Sequence, residues 1–148
     1  MFVRDLMEAE VVTLNVSDIL DLADDIMRLG RIRHMPVMAG DTLVGILSQR
    51  DLFRAAISSV LQLRPAAERQ WLAKIPVREV MTKRVFTIAP GATVREAVIE
   101  MLDKRIGCLA VVENDKLVGL LSEADCMRYL ARLLDIAEVK QQLPGLVD

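Results

Sequence analysis

The sequence predicts an α/β (α+β) fold in which one β-α-β-β-α unit occurs twice. Residues 3–56 repeat at residues 77–130 with a constant offset of 74 and no gap. The best-matched stretch is DTLVGILSQRDLFR from Asp41, which lies over DKLVGLLSEADCMR from Asp115. A gapless repeat of this length indicates a single structural unit used twice. Each copy is short for an independent domain, so we expect the two copies to pack together.

Each copy begins with a short helical turn followed by an apolar strand. The turns are predicted at Val3–Met7 and Val77–Met81, and the strands at VVTL (11–14) and VFTI (85–88). A helix comes next, because apolar residues recur at helical spacing. The residues with this spacing are Ile19, Leu22, Ala23, Ile26 and Met27 in the first copy, and Val94, Ala97, Val98, Met101 and Leu102 in the second.

The starts of these two helices carry different capping signals. In the second copy, Thr93 and Glu96 have the spacing of a capping box, in which each side chain accepts a hydrogen bond from the other residue's backbone N–H. In the first copy the expected cap is Ser17, whose hydroxyl suits the free N–H groups of a first helical turn.

A pair of strands joined by a tight turn follows in each copy. The predicted strands are HMPVM (34–38) and LVGIL (43–47) in the first copy, and CLAVV (108–112) and LVGLL (117–121) in the second. Gly40 and Asn114 lie at the turns and suit the unusual backbone angles of a hairpin. Gly45 and Gly119 within the strands indicate close approach of a ligand or of another backbone segment.

A second helix is expected to start at Ser48 in the first copy and at Ser122 in the second. Residues 57–76 are too apolar for a free linker and predict a continuation of the first of these helices, then a short helix carrying Trp71. We expect Trp71 to anchor the linker on the core; the alternative is that it covers a dimer surface.

The last helix is predicted to continue to about Gln142. The predicted divisions are the first repeat at 1–60, a helical linker at 61–76, the second repeat at 77–133, and a C-terminal helix and tail at 134–148.

The composition argues against several classes of protein. Hydrophobic residues make up 53% of the 148 positions, but aromatic residues only 3%, which predicts an aliphatic core and disfavours a stacking platform for single-stranded nucleic acid. The formal net charge is −2 and the basic residues are dispersed, so no nucleic-acid partner is expected. The apolar runs are shorter than the ~18–20 residues of a membrane span, and the first residues do not resemble a signal peptide. We therefore expect a cytoplasmic protein without a membrane partner.

Two further residue types bear on chemistry. Cys108 and Cys126 lack C-x-x-C spacing, which favours free buried thiols over a disulfide or a metal site. His34 is the only histidine, and a lone histidine is a weak metal or catalytic signal, so a ligand or structural contact is expected.

These motifs resemble those of the CBS (cystathionine β-synthase) domain family, and their duplication resembles the tandem pair called a Bateman module. The matching pieces are V-x-x-h-M at each start, V-x-T at each first strand, H-M-P-V at 34–37, and L-V-G-h-L-S-x-x-D-x-x-R at both hairpin-to-helix junctions. The resemblance covers roughly residues 2–130. It implies two β-α-β-β-α repeats packed with pseudo-twofold symmetry, with two symmetry-related clefts between them.

The same resemblance implies a function. Members of the family commonly bind AMP, ADP, ATP or S-adenosylmethionine in these clefts and often form homodimers, and most are attached to an enzyme, channel or transporter that they regulate. We therefore expect a stand-alone regulatory module, not an enzyme, that senses an adenine nucleotide, requires no cofactor, forms a homodimer and acts on a protein partner that is not identified. The alternatives are a protein-interaction module without a ligand, a module that binds S-adenosylmethionine, and an enzyme acting on a nucleotide in the same cleft.

The junctions at Ser48–Asp51 and Ser122–Asp125 admit two interpretations. The structural one is a capping box, because a Ser is followed three residues later by an acid. The functional one is that the Asp carboxylate accepts from the two hydroxyls of a ribose, while the helix N-terminus and the Ser hydroxyl face phosphate. The two roles can coexist, and the family resemblance favours the functional one.

By the same resemblance, a purine pocket would use the first strand and the start of the hairpin. The residues concerned are Thr13, Leu14, Asn15, His34, Met35 and Pro36 in the first copy, and Thr87, Ile88, Ala89, Cys108, Leu109 and Ala110 in the second. Backbone groups at a strand end can bind the adenine edge while apolar side chains enclose the ring. The alternative is that these are ordinary core strands.

The two copies differ in charge near the predicted clefts. The first copy has Arg33 and Arg50 there, together with His34, whereas the second has Gly107 and Ala124 in place of the arginines. A phosphate-bearing ligand is therefore expected to prefer the cleft that contains Asp51.

Overall fold

A computed structural model of the chain describes residues 1–60 and 72–142, apart from the side chains of residues 58–60. The chain divides into two compact units. The first unit comprises Glu10–Phe86 and Asn114–Leu117, and the second comprises Met1–Ala9, Thr87–Glu113 and Val118–Asp148. The units do not coincide with the sequence repeats, because the segment that opens each repeat belongs to the unit containing the other repeat's sheet. Trp71 and most of the predicted linker lie outside the described residues.

The mixed α+β class and the order of elements are as predicted. The first unit contains β1 (Leu14–Asn15), α2 (Leu20–Gly30), β2 (His34–Ala39), β3 (Thr42–Ser48), α3 (Gln49–Val60) and a 3-10 turn (Val77–Glu79). The second contains α1 (Val3–Leu6), β4 (Thr87–Ile88), α4 (Val94–Lys104), β5 (Cys108–Glu113), most of β6 (Lys116–Ser122) and α5 (Glu123–Gln142). The first strand of each copy is two residues long, shorter than predicted. None of the helices in the described parts of the chain is long and apolar enough to cross a membrane.

The two three-stranded sheets have the orders β1-β2-β3 and β4-β5-β6, with the first strand parallel to the second. Their parallel pairings have the same register, because Ile88 pairs with Val111 as Leu14 pairs with Val37, but they start one residue apart. Leu14 pairs with Val37 in the first sheet, whereas the second begins one step earlier, with Thr87 opposite Ala110. Pro36 occupies the place that corresponds to Ala110 and has no N–H to donate to a neighbouring strand. Strand pairing with β1 therefore starts only after the proline.

The core of each unit is aliphatic, as the composition predicted. Met35 and Leu47 are fully buried in the first unit, and Leu109 and Leu121 are fully buried at the corresponding positions of the second. The helices α2 and α4 contribute buried methionines to the two cores, as expected for side chains that fill irregular space. The repeat therefore specifies the same packing twice.

Of the caps predicted for α2 and α4, only the one for α4 is correct. The Thr93 side chain caps α4 through a complete capping box. The prediction for Ser17 is wrong, because α2 starts after Ile19 and has no side-chain cap. The Ser17 hydroxyl instead donates to Asn15 Oδ1 at 2.9 Å, a local bond that competes with helix capping. The first N–H of α2 donates to the Ile75 carbonyl at 2.9 Å, so tertiary structure supplies the acceptor.

A segment that we call the strap borders the third strand of each sheet; it is Met81–Thr82 in the first unit and Met7–Glu8 in the second. In the first unit, Thr82 and Ile46 exchange two backbone hydrogen bonds of 2.9 and 3.0 Å. In the second unit, Glu8 and Leu120 exchange two of 2.9 Å. Each strap therefore docks on a strand of the other sequence repeat.

The straps explain the glycines in β3 and β6. A Cβ built on Gly45 would lie 2.5 Å from Met81 Sδ and 3.1 Å from the Thr82 carbonyl oxygen. A Cβ on Gly119 would lie 2.5 Å from the matching methionine sulfur and 3.0 Å from the strap's carbonyl oxygen. The close approach expected at both glycines is confirmed, and a backbone segment makes it.

We predict that Gly45→Ala destabilises the protein by about 1–3 kcal/mol, because the added methyl group overpacks the contact with the strap. The measurement is the free energy of unfolding in urea. Gly30→Ala is the matched control, since its Cβ would meet nothing closer than 3.6 Å, an ordinary van der Waals distance, and alanine favours the helix. A loss at Gly45 no larger than at Gly30 would contradict the role assigned to the strap.

Candidate functional site

The predicted ligand-binding residues separate cleanly between the two units. Those of the first unit are Thr13, Leu14, Asn15, Arg33, His34, Met35, Pro36, Ser48, Arg50 and Asp51. Those of the second are Thr87, Ile88, Ala89, Cys108, Leu109, Ala110, Ser122 and Asp125. Each unit thus holds one group of candidates, gathered at its first strand, at the start of the hairpin and at the junction of its third strand with the following helix.

Burial distinguishes two kinds of residue among the candidates. Leu14, Met35 and Leu109 have at most 2% of their surface exposed and belong to the cores. The side chains of Arg33 and Arg50 are exposed beside the β3–α3 junction. The buried side chains therefore fit the interpretation as ordinary core strands, and these residues can offer a ligand only their backbone groups. The two arginines can offer a ligand their side chains.

The β3–α3 junction forms a capping box. Ser48 N–H donates to Asp51 Oδ2 at 2.9 Å, and Asp51 N–H donates to Ser48 Oγ at 3.0 Å. The first helical N–H, that of Gln49, donates to the Arg33 carbonyl at 2.8 Å. Two of the first three helical N–H groups are thus already bonded within the protein. The register of the sheet places His34 opposite Ser48, beside the same junction.

The strap brings one further group to this junction. Thr82 Oγ1 lies 3.4 Å from both carboxylate oxygens of Asp51, so its hydroxyl can donate to either one. The half-buried Asp51 carboxylate therefore stands between a backbone donor and a threonine hydroxyl. A carboxylate held in this way has a fixed direction and keeps lone pairs for further donors, such as the hydroxyl groups of a sugar.

The β6–α5 junction repeats the box with a different neighbour. Ser122 N–H and Ser122 Oγ donate to Asp125 Oδ2 at 2.8 and 2.7 Å. The other oxygen of Asp125 forms an ion pair with the Arg128 guanidinium, one helical turn further on. The strap residue that corresponds to Thr82 is Glu8. The two junctions therefore share a backbone frame and differ in the side chains around the aspartate.

Sequence reasoning missed Thr82 and Glu8 as candidate residues. Both precede the first strand of their own repeat and reach the junction of the other repeat, so sequence proximity did not link them to Asp51 or Asp125. The repeat did contain a signal, because the V-x-x-h-M motif places Met81 and Met7 just before the two residues.

Both cysteines are free thiols, as predicted; Cys108 is also buried as expected, whereas Cys126 is only partly buried. Burial raises the pKa of Cys108 to about 12, with a smaller contribution from the Glu123 carboxylate. Burial also raises the pKa of Cys126, together with the neighbouring Asp125 carboxylate. Within residues 1–60 and 72–142, no group of three or more His, Cys, Asp or Glu side chains is placed to hold a metal ion.

Comparison with known proteins agrees with the duplication seen in the sequence. The model of the CBS domain family matches residues 3–58 and 77–132. A crystal structure from Vibrio cholerae, of a protein proposed to serve acetoin utilization (AcuB), is 35% identical, covers 93% of this chain and 96% of its own, and superposes with a TM-score of 0.76.

Two solved structures of the same fold contain ligands. The CBS domain pair of protein MJ0100 was solved with 5′-methylthioadenosine and S-adenosyl-L-methionine; it is 23% identical with a TM-score of 0.74, over 88% of this chain and 99% of that one. CBSX2 was solved with AMP; it is 22% identical with a TM-score of 0.71, over 89% of this chain and 97% of that one. The first curated relatives are longer, and this chain spans about half of their length or less.

We predict that the Cys108 thiol reacts with iodoacetamide on the order of a thousandfold more slowly in the folded protein than in urea at pH 8, because its pKa of about 12 leaves little thiolate. The folded-state pKa lies above the unfolded one, so this thiol lowers the stability of the fold as pH rises from about 9 towards 12. The measurement is mass spectrometry of Cys126→Ala, which retains only Cys108, with Cys108→Ala as its counterpart. Equal labelling of folded and unfolded Cys108 would contradict the prediction.

Proposed function

The chain belongs to the CBS domain family, and we propose that it is a regulatory module that binds an adenosine-containing ligand at the helix-start junctions of its units. The observation that carries the proposal is the Asp51 carboxylate, which Ser48 and Thr82 hold in one direction at the start of α3. Structures of two proteins with this fold contain AMP, or 5′-methylthioadenosine with S-adenosyl-L-methionine. They support the proposal by showing that the fold can hold adenosine derivatives.

The chemistry of the junction suits the ribose of such a ligand. A vicinal diol presents two O–H donors at a fixed separation, and a carboxylate offers two acceptor oxygens. Asp51 Oδ2 already accepts from Ser48 N–H, which fixes the orientation of the carboxylate plane before a ligand arrives. Preorganisation of this kind reduces the entropy lost on binding. The capping and ligand-binding roles of the aspartate therefore support each other.

Charge favours a phosphate-bearing ligand, AMP, ADP or ATP, in the first unit. Arg33 supplies its carbonyl to the first N–H of α3, so its backbone lies directly at the helix start. Arg50 is the second residue of that helix, and both arginine side chains are exposed. Guanidinium groups bind phosphate through paired N–H donors and retain their charge at any physiological pH.

The chemistry of two side chains of the second unit supports binding over catalysis. Cys108 has a thiol that stays protonated up to a pKa of about 12, and a protonated thiol is a poor nucleophile. The Asp125 carboxylate is held by an ion pair with Arg128 and by Ser122. We therefore propose a regulatory role in which ligand binding favours one conformation over another and a partner protein responds to that conformation.

We further propose that the module forms a homodimer through α5. This helix is 20 residues long, about 30 Å, and none of its residues is buried. Three of its exposed apolar side chains, Met127, Leu130 and Leu134, have the i, i+3, i+7 spacing that places them on one face, and Leu133, Ile136 and Val139 are exposed on other sides of the helix. Two copies of the same apolar face can cover each other in a symmetric interface.

We predict that saturating AMP, ADP or ATP raises the melting temperature by about 5–10 °C, since a ligand at a hundredfold excess over Kd stabilises the fold by ~2.7 kcal/mol. The measurement is thermal unfolding with each nucleotide, with S-adenosylmethionine and without ligand. Asp51→Asn is expected to abolish most of the shift, because it removes the charge and one acceptor oxygen.

Asp41→Asn is the matched control, since it makes the same chemical change in the exposed turn between β2 and β3. Its shift is expected to equal that of the unmodified protein. The absence of a shift with every ligand would reject the nucleotide proposal in favour of a protein-interaction module. A shift with S-adenosylmethionine alone would assign the site to that ligand and make the arginines incidental.

We predict that the protein has a mass of 33.0 kDa in solution, twice the 16.5 kDa of one chain, by light scattering coupled to size-exclusion chromatography. Leu134→Glu is expected to shift the mass to that of the monomer, because it places a charge in the proposed interface. Leu29→Glu is the control, since Leu29 lies on α2 and is 88% exposed. A monomeric unmodified protein, or equal effects of the two variants, would refute the interface.

A further inference from the structure

The two junctions differ in the cations around the aspartate. In the first unit, Arg33 and Arg50 lie at the start of α3. At the corresponding positions of the second unit, Gly107 and Ala124 carry no charge. The backbone frame is nevertheless the same, because the Gly107 carbonyl accepts from the first N–H of α5 at 2.9 Å, as the Arg33 carbonyl does at 2.8 Å in the first unit. The second junction therefore lacks two positive charges within an otherwise matched frame.

The two junctions also differ in their acids. Glu123 is the first residue of α5, where α3 has the neutral Gln49. Glu8 occupies the strap position where the first unit has Thr82. The second junction thus loses two cations and gains two carboxylates relative to the first, a difference of four formal charges.

The strap position lies within reach of the ligand-binding carboxylate. Thr82 Oγ1 is 3.4 Å from both oxygens of Asp51, which shows where a side chain at this position points in the first unit. The second strap docks in the same way. A Cβ on Gly119 would lie 2.5 Å from the methionine sulfur and 3.0 Å from the carbonyl oxygen of its strap, and the same distances for Gly45 are 2.5 and 3.1 Å. The Glu8 backbone is therefore placed relative to Asp125 as the Thr82 backbone is relative to Asp51.

We propose that the two junctions select adenosine derivatives by charge, and that the strap residues Thr82 and Glu8 are specificity determinants. This inference rests on the proposed function. The first unit takes the phosphate-bearing ligand. The second unit excludes phosphate and takes an adenosine derivative that carries no phosphate, with a cationic substituent such as a sulfonium preferred over a neutral one.

The physical reason is the Coulomb interaction across a partly desolvated site. A phosphate placed near Asp125 meets the added carboxylates of Glu8 and Glu123, whereas a phosphate near Asp51 meets the added guanidinium groups of Arg33 and Arg50. Near a protein surface such interactions are several times stronger than in bulk water, and a like charge disfavours binding as strongly as an opposite charge favours it. A cationic ligand experiences the same field with the opposite sign.

The test is isothermal titration calorimetry of the full chain with AMP and, separately, with S-adenosylmethionine. Unmodified protein is expected to bind AMP at a single site that requires Asp51, and S-adenosylmethionine at a site that requires Asp125. Thr82→Glu is expected to weaken AMP about tenfold more than Thr82→Gln does, or by about 1.4 kcal/mol, because the two side chains have the same shape and differ in charge. Raising the ionic strength should reduce this difference.

The reciprocal change is made at the second strap. Glu8→Gln is expected to strengthen AMP binding at the second junction and to weaken S-adenosylmethionine. Glu8→Asp, which keeps the charge, is expected to continue to exclude AMP. The strap contact at both positions is made by backbone hydrogen bonds, which these substitutions do not remove. Unfolding temperatures of all variants check that the fold is retained.

The outcomes separate this inference from the proposed function. If no adenosine ligand binds the unmodified protein, both are overturned. If AMP fills both junctions of the unmodified protein with similar affinity, or if Thr82→Glu and Thr82→Gln weaken AMP equally, the selection by charge is overturned and the proposed function stands.

Discussion

The contact between each strap and the third strand of a sheet determines where the functional groups of this protein lie. Two backbone hydrogen bonds join Thr82 to Ile46, and two join Glu8 to Leu120. The approach is so close that a Cβ at Gly45 in the first unit would overlap the Met81 sulfur and crowd the Thr82 carbonyl oxygen. Because each strap comes from the other sequence repeat, neither sheet is complete without chain from both repeats. This interdependence explains why the two short repeats occur together in one chain, because each copy needs the strap of the other as a packing partner.

The same contact creates a site from residues that would otherwise have only structural roles. Ser48 and Asp51 form the capping box of α3, in which the backbone N–H of each residue donates to the side chain of the other. The strap adds the Thr82 hydroxyl beside the carboxylate, and the hairpin register adds His34. The Asp51 carboxylate, whose first role is to cap the helix, thus becomes a fixed acceptor with Arg33 and Arg50 close by in the chain.

The two units show how one backbone frame can carry different chemistry. Changes of side chain at corresponding positions alter the charge around the aspartate without altering its cap, because the cap uses only serine and aspartate groups that both copies keep. Pro36 shows that the frame itself also responds to sequence. Pro36 occupies the position that Ala110 has in the second copy, and it has no N–H to donate. The parallel pairing of β1 with β2 therefore starts one residue later than that of β4 with β5. The strand end that would face a purine therefore differs between the units in backbone as well as in side chains.

The sequence by itself determined the order of elements, the hairpins, the aliphatic core and the cap at Thr93. These features depend on local patterns, namely alternation, helical spacing and capping signals, and each occurs twice at a constant offset. Tertiary structure decided the features that depend on distant segments. The Ile75 carbonyl, and not Ser17, accepts from the start of α2. Thr82 meets Asp51 across 31 residues of chain. No local pattern encodes such a pairing, because the position of the strap results from how the folded repeats exchange their first segments.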